Sequence, residues 1–165
     1  MRFILFISVL LTQLFHSVTL ADSKFIIQDQ QILITSKIVL FGEAATQEAA
    51  DYIQRTINSR WNNNGLGWQP VTDKNYTLKI NVEVSLYNGI EKAHLSDTEI
   101  RTLTAQQSGL NVIELKAPEI SGAFLLYDSE TIGTTGTWRY SSDERSKNNY
   151  DLGGTYTHEF GHQMG

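Results

Sequence analysis

Between Ile32 and Phe41 the chain reads ILITSKIVLF, with β-branched and apolar residues at odd and even positions alike. That is the pattern of a strand covered on both faces, and so of a central one. Gly42 punctuates it. From Glu43 to Trp61, apolar or small residues recur at Ala45, Ala49, Tyr52, Ile53, Ile57 and Trp61. This 3.6-residue stripe predicts an amphipathic helix lying on the sheet. Asn62-Asn63-Asn64-Gly65 then closes the helix with residues that tolerate left-handed backbone. From Leu78 the period drops to two: Leu78, Ile80, Val82, Val84 and Leu86 point inward, and Lys79, Asn81, Glu83 and Ser85 outward. A strand with one wet face follows. Strand, helix, strand in this order predicts a right-handed crossover between parallel neighbours.

Further on, Ser96-Asp97-Thr98-Glu99 has the spacing of a capping box, which starts a helix running through Leu103 and stopping near Gly109. Asn111 to Lys116 reads as a short strand ended by Pro118. Gly122 to Tyr127 reads as another, and Gly133 and Gly136 mark turns before Thr137-Trp138-Arg139-Tyr140, read as an edge strand. The polar run Ser141 to Asn149 reads as a surface loop. Asp151 is placed to cap a final helix, with Tyr156 and Phe160 at i and i+4 on its packing face. The expected fold class is α+β: a mixed twisted sheet, a long backing helix and a C-terminal helix.

Composition narrows the function classes. The chain has 165 residues, 41% hydrophobic and 19% charged, which suits an ordinary globular domain and excludes disordered or collagen-like architectures. Its net charge is −5, and Arg101, Arg139, Arg145 and Lys147 lie in polar segments near Asp143 and Glu144 rather than in one basic patch. A nucleic-acid partner is not expected. Residues 1–21 carry Arg2, an apolar run from Phe3 to Phe15 and a small-x-small ending, Thr19-Leu20-Ala21. These are the parts of a secretory signal peptide cleaved before Asp22. Thr12, Gln13, His16, Ser17 and Thr19 interrupt the run short of the roughly 20 apolar residues a spanning helix needs. The expectation is a secreted or periplasmic protein with no stable membrane insertion after cleavage, its domain covering residues 22–165. There are no cysteines, so stability must come from the core rather than from disulfides.

The chemistry lies in the last eight residues, His158-Glu159-Phe160-Gly161-His162-Gln163-Met164-Gly165. On a helix, positions i and i+4 share one face, so His158 and His162 can hold one metal ion, with zinc the expected cofactor. Glu159 takes the general-base position of an HExxH motif: zinc acidifies its water, Glu159 accepts the proton and later gives it to the leaving amine. The substrate class is then a peptide or protein. His94, beside Lys92 and Asp97, reads as a solvated side chain. Asp128, Glu130, Asp143 or Asp151 remain candidates for a makeshift additional ligand. The alternative reading is a secreted domain without catalysis that binds a peptide or metal, or an inactive protease fragment.

HEFGHQMG resembles the first eight positions of the extended HExxHxxGxxH motif of metzincin metallopeptidases. In this resemblance Gly165 is the glycine that turns the chain towards a third histidine, expected three positions later, and the sequence is expected to be the N-terminal part of such a domain. The order strand, long helix, strand, further strands with an edge strand, and active-site helix also resembles that family from about Ile32 onward. It implies that an extended peptide adds to the edge strand, for which Thr137 to Tyr140 is the candidate. The run Gly136 to Tyr140 (GTWRY), a polar loop and then TYTHEFGHQMG is further similar to the metallopeptidase domains at the ends of bacterial Rhs-type polymorphic toxins.

Overall fold

The computed structural model describes residues 18–20, 23–28, 30–63, 76–106, 110–121, 124–126 and 129–164. The segment read as a signal peptide, residues 1–21, lies outside these residues except for Val18–Leu20, which form β1, antiparallel to β2 (Ser23–Gln28). A left-handed Gln30 turns β2 into β3 (Gln31–Phe41). Helix α1 (Gln47–Asn63) follows, capped by Thr46, whose Oγ1 accepts the Ala49 N–H at 3.2 Å. It starts four residues later than the stripe alone suggests, because Gly42 to Thr46 are consumed in the turn that carries the chain off the sheet. Gly42 has φ +111, and a Cβ there would meet the Leu115 carbonyl oxygen, so this turn requires glycine.

Strand β4 (Thr77–Leu86) runs parallel to β3 along its whole length, as the crossover pattern predicts. Its alternation of exposed and buried residues is the period-two pattern of the sequence. Helix α2 (Asp97–Gln106) begins at a complete capping box: the Ser96 N–H donates to Glu99 Oε2 at 2.9 Å, and the Glu99 N–H donates back to Ser96 Oγ at 3.3 Å. Strand β5 (Leu110–Lys116) is parallel to β3, and a small separate hairpin joins β6 (Glu119–Ser121) to β7 (Phe124–Leu126). Strands β8 (Glu130–Ile132) and β9 (Thr135–Arg139) form a second hairpin around Gly133 at φ +58, with β9 parallel to β5. Helices α3 (Glu144–Asn149) and α4 (Leu152–Gln163) end the described chain.

Among the described residues the main sheet has seven strands. On one side of β3 lies β4; the other side is shared by β2, against Gln31 to Ser36, and β5, against Lys37 to Phe41. Beyond β5 come β9 and then β8, so β8 is the antiparallel edge against Thr135 to Thr137, while Trp138 and Arg139 pair with β5 alone. This corrects the edge assignment at Thr137. Gly136 makes the hairpin tight, since a Cβ there would stand 2.6 Å from the Glu130 carbonyl oxygen. The strand at 32–41 is central, but its second face is covered only near its end: Lys37 is exposed, while Val39 and Phe41 join Leu95, Leu110 and Val112 under α2. The main core lies on the opposite face, where α1 and α4 cover Ile38, Leu40, Val82, Ile113, Leu115 and Trp138. No described helix is long and apolar enough to cross a membrane.

The run read as a surface loop holds α3. Asp143 caps it by accepting from the Ser146 N–H at 2.8 Å, and Lys147 turns inward with its side chain 4% exposed. The ammonium sits 3.1 Å from Glu48 and 3.0 Å from Glu144, over the Tyr52 and Tyr140 rings. Burial alone would lower its pKa, but the hydrogen bonds to Glu144 and Glu48 outweigh that and raise it; Lys147 in turn lowers the pKa of Glu48.

Candidate metal centre

Helix α4 carries the candidate residues, and its start is set by Asp151, which adopts the left-handed conformation, accepts from the Gly154 N–H at 3.2 Å and pairs with Arg60 of α1. The bare Gly153 lets α4 close on α1, for a Cβ there would lie 2.6 Å from Thr56 Cγ2 and 3.2 Å from Arg60. Further along, the Tyr156 ring stacks on Trp138 at 5.6 Å and meets Tyr52 edge-on at 6.2 Å, and its hydroxyl donates to the Arg139 carbonyl at 2.7 Å. Trp138 Nε1 donates to Thr131 Oγ1 of the edge strand at 2.9 Å. Helix, interior strand and edge strand are thereby tied at one point. Leu152, Tyr156 and Phe160 are fully buried, so the rotation of α4 about its axis is fixed by packing.

That rotation leaves His158 and His162 exposed. Their rings meet edge to face with centroids 4.6 Å apart, and the two Nε2 atoms are 3.0 Å apart. Two ligand nitrogens of one tetrahedral zinc, each about 2.0–2.1 Å from the ion, stand about 3.3 Å apart. The observed pair needs only a slight opening to reach that spacing, so these residues fit the metal. Their Nε2 atoms converge on an accessible side of the helix.

Glu159 is placed differently from its neighbours. It is 5% exposed, and its Oε2 is buried without a hydrogen-bond partner. Gln163, one turn on, is fully buried with both amide atoms unpartnered. Polarity of sequence gave no sign of that burial; the only cue was the i, i+4 spacing to Glu159. Among the described residues no third His, Cys, Asp or Glu joins the histidine pair. Asp143 and Asp151 are occupied as helix caps and Glu130 lies on β8, so none of the three completes a makeshift site; Asp128 and Gly165 lie outside the described residues. His94 is exposed in the segment before α2, apart from the pair.

Comparison with protein-family models, with curated proteins and with solved structures finds no match to this chain. Function therefore has to be argued from the site.

Proposed function

We propose that this chain carries two metal ligands and the general base of an exported zinc-dependent endopeptidase. The observation that carries the reading is the accessible His158–His162 pair with its Nε2 atoms 3.0 Å apart on a helix locked by Tyr156 and Phe160. Zinc, when bound, supplies the Lewis acidity that polarises a scissile carbonyl and acidifies water. His158 and His162 hold the ion through Nε2. Glu159, one residue on, takes a proton from the attacking water on a carboxylate oxygen and returns it to the leaving amine. An extended peptide adds to the free side of β8, whose Thr131 is linked through Trp138 to the helix bearing the histidines. The order of elements, from β3 through α1 and β4 to the antiparallel edge β8 and α4, supports the metzincin resemblance. By that resemblance the third ligand is a histidine three positions past Gly165.

A second reading, a metal- or peptide-binding domain without turnover, is favoured by one observation: two ligands and no third among the described residues. The test is made on the protein carried past Gly165 in its own reading frame. The account expects hydrolysis of unfolded protein, loss of activity with a chelator and recovery with zinc. Glu159→Ala should retain zinc and lose about 10²–10⁴-fold in turnover. Full activity in that variant contradicts the assigned base, and zinc binding without turnover in the parent protein selects the second reading.

A further inference from the structure

Two buried polar side chains on α4 share one side of the helix and lack partners. Gln163 is fully buried, and neither its Oε1 nor its Nε2 is hydrogen-bonded; Glu159 is 5% exposed, and its Oε2 is unpartnered. Residues i and i+4 on a helix have Cβ atoms about 5–6 Å apart, within reach of a glutamine amide and a glutamate carboxylate. Burying a carboxylate oxygen and an amide donor side by side without a bond is unfavourable, whereas one bond between them satisfies both. The terminal torsions of Glu and Gln are broad wells, so the bond forms by rotating the two planar groups without moving the helix. Two other buried donors also lack partners, Trp61 Nε1 and Arg139 Nε, but neither belongs to this side of α4. Trp61 faces Gly161, whose direction is about 200° around the helix from residues 159 and 163. Arg139 alternates with Trp138 and Tyr140 and so projects to the sheet face opposite the one α4 covers, where its terminal nitrogens meet the Ala117 carbonyl and Glu119.

We propose that Gln163 is the positioning residue for Glu159: its Nε2–H donates across one turn of α4 to Glu159 Oε2, leaving Oε1 as the oxygen that handles the proton. A hydrogen bond to a carboxylate is stronger than one between neutral groups, and it fixes which oxygen faces the reactant. The role of Glu159 as base rests on the proposed function; the pairing itself does not. Without Gln163 the carboxylate would rotate between orientations, which lowers turnover without touching the metal ligands.

The pairing is tested in the metal-free 165-residue chain by a double-mutant cycle of Glu159→Leu and Gln163→Leu, read by urea unfolding. The expected result is an unfolding equilibrium constant for the double variant that departs about fivefold from the product of the single effects. An additive cycle overturns the pairing. Should a leucine variant fail to fold, the side-chain amide resonances of Gln163 in a ¹⁵N–¹H spectrum serve instead: they should shift in Glu159→Gln, and unmoved resonances overturn the proposal. In the active protein, Gln163→Leu should lower kcat about tenfold or more with KM and zinc affinity unchanged; a loss confined to zinc affinity overturns the positioning role. Failure of the metal reading is seen separately, as histidine rings that do not respond to zinc while the cycle still shows coupling.

Discussion

At the residue scale, the side chains that depart most from their sequence context are polar ones drawn inward. Lys147 sits in a run of charged and amide residues, which reads as solvated, yet its ammonium lies over the Tyr52 and Tyr140 rings and is met by Glu48 and Glu144. Glu48 and Tyr52 come from α1, with Glu48 lying 99 residues away in sequence, so no local window contains that half of its surroundings. Replacing Lys147 by Ala should destabilise the fold by roughly 1–3 kcal/mol, and by Met less, since Met keeps the apolar stem; urea unfolding distinguishes the two. Glu99, by contrast, was legible from its spacing to Ser96. Hydrogen bonds from Lys92 and then from Ser96 lower its pKa from 4.5 to about 2. Because the folded value is the lower one, the capping box stabilises α2 fully above about pH 4.5 and is lost as pH falls through about 2. A ¹³C titration of the Glu99 carboxyl should show that low midpoint, and Ser96→Ala should move it upward.

Among the elements, the outer strands β4 and β8 of the sheet are treated differently. The outer side of β4 is closed by three amides spaced four apart on α1: Gln54 accepts from the Val84 N–H, Asn58 bonds both backbone groups of Val82, and Asn62 both of Ile80, at 2.8–2.9 Å. An unpaired strand edge invites association with other chains, and this ladder removes it. Asn58→Ala leaves the N–H and carbonyl of Val82 without partners. It should cost about 1–3 kcal/mol in a urea melt and bring concentration-dependent association visible by light scattering. The 3.6-residue stripe and the period-two alternation made α1 and β4 legible, because each buries a regular apolar face, and the unbroken apolar run made β3 legible as a central strand. They did not separate β8 from β9, since a three-residue strand is too short to show a period and Trp138 is buried by the core cluster under α4 rather than by a regular apolar face of its own strand.

On the scale of the whole molecule, α1 and α4 cross over one face of the sheet, and the histidines reach solvent only because that crossing fixes how α4 is turned. Gly153→Ala places a methyl against Thr56 and Arg60 and should destabilise by roughly 1–3 kcal/mol, with the ring resonances of His158 and His162 shifting as α4 is displaced. The motif named these histidines from three fixed letters in five positions; the burial of Glu159 and Gln163 beside them depends on packing that no motif encodes. The central claim, that His158 and His162 grip one ion together, is tested most directly by following all histidine ring nitrogens by NMR as zinc is added to the 165-residue chain. The account predicts that Nε2 of His158 and His162 shift together with one saturation curve, that His94 stays still, and that His158→Ala abolishes the response of His162. Rings that ignore zinc, or a His162 response unchanged in His158→Ala, would contradict it.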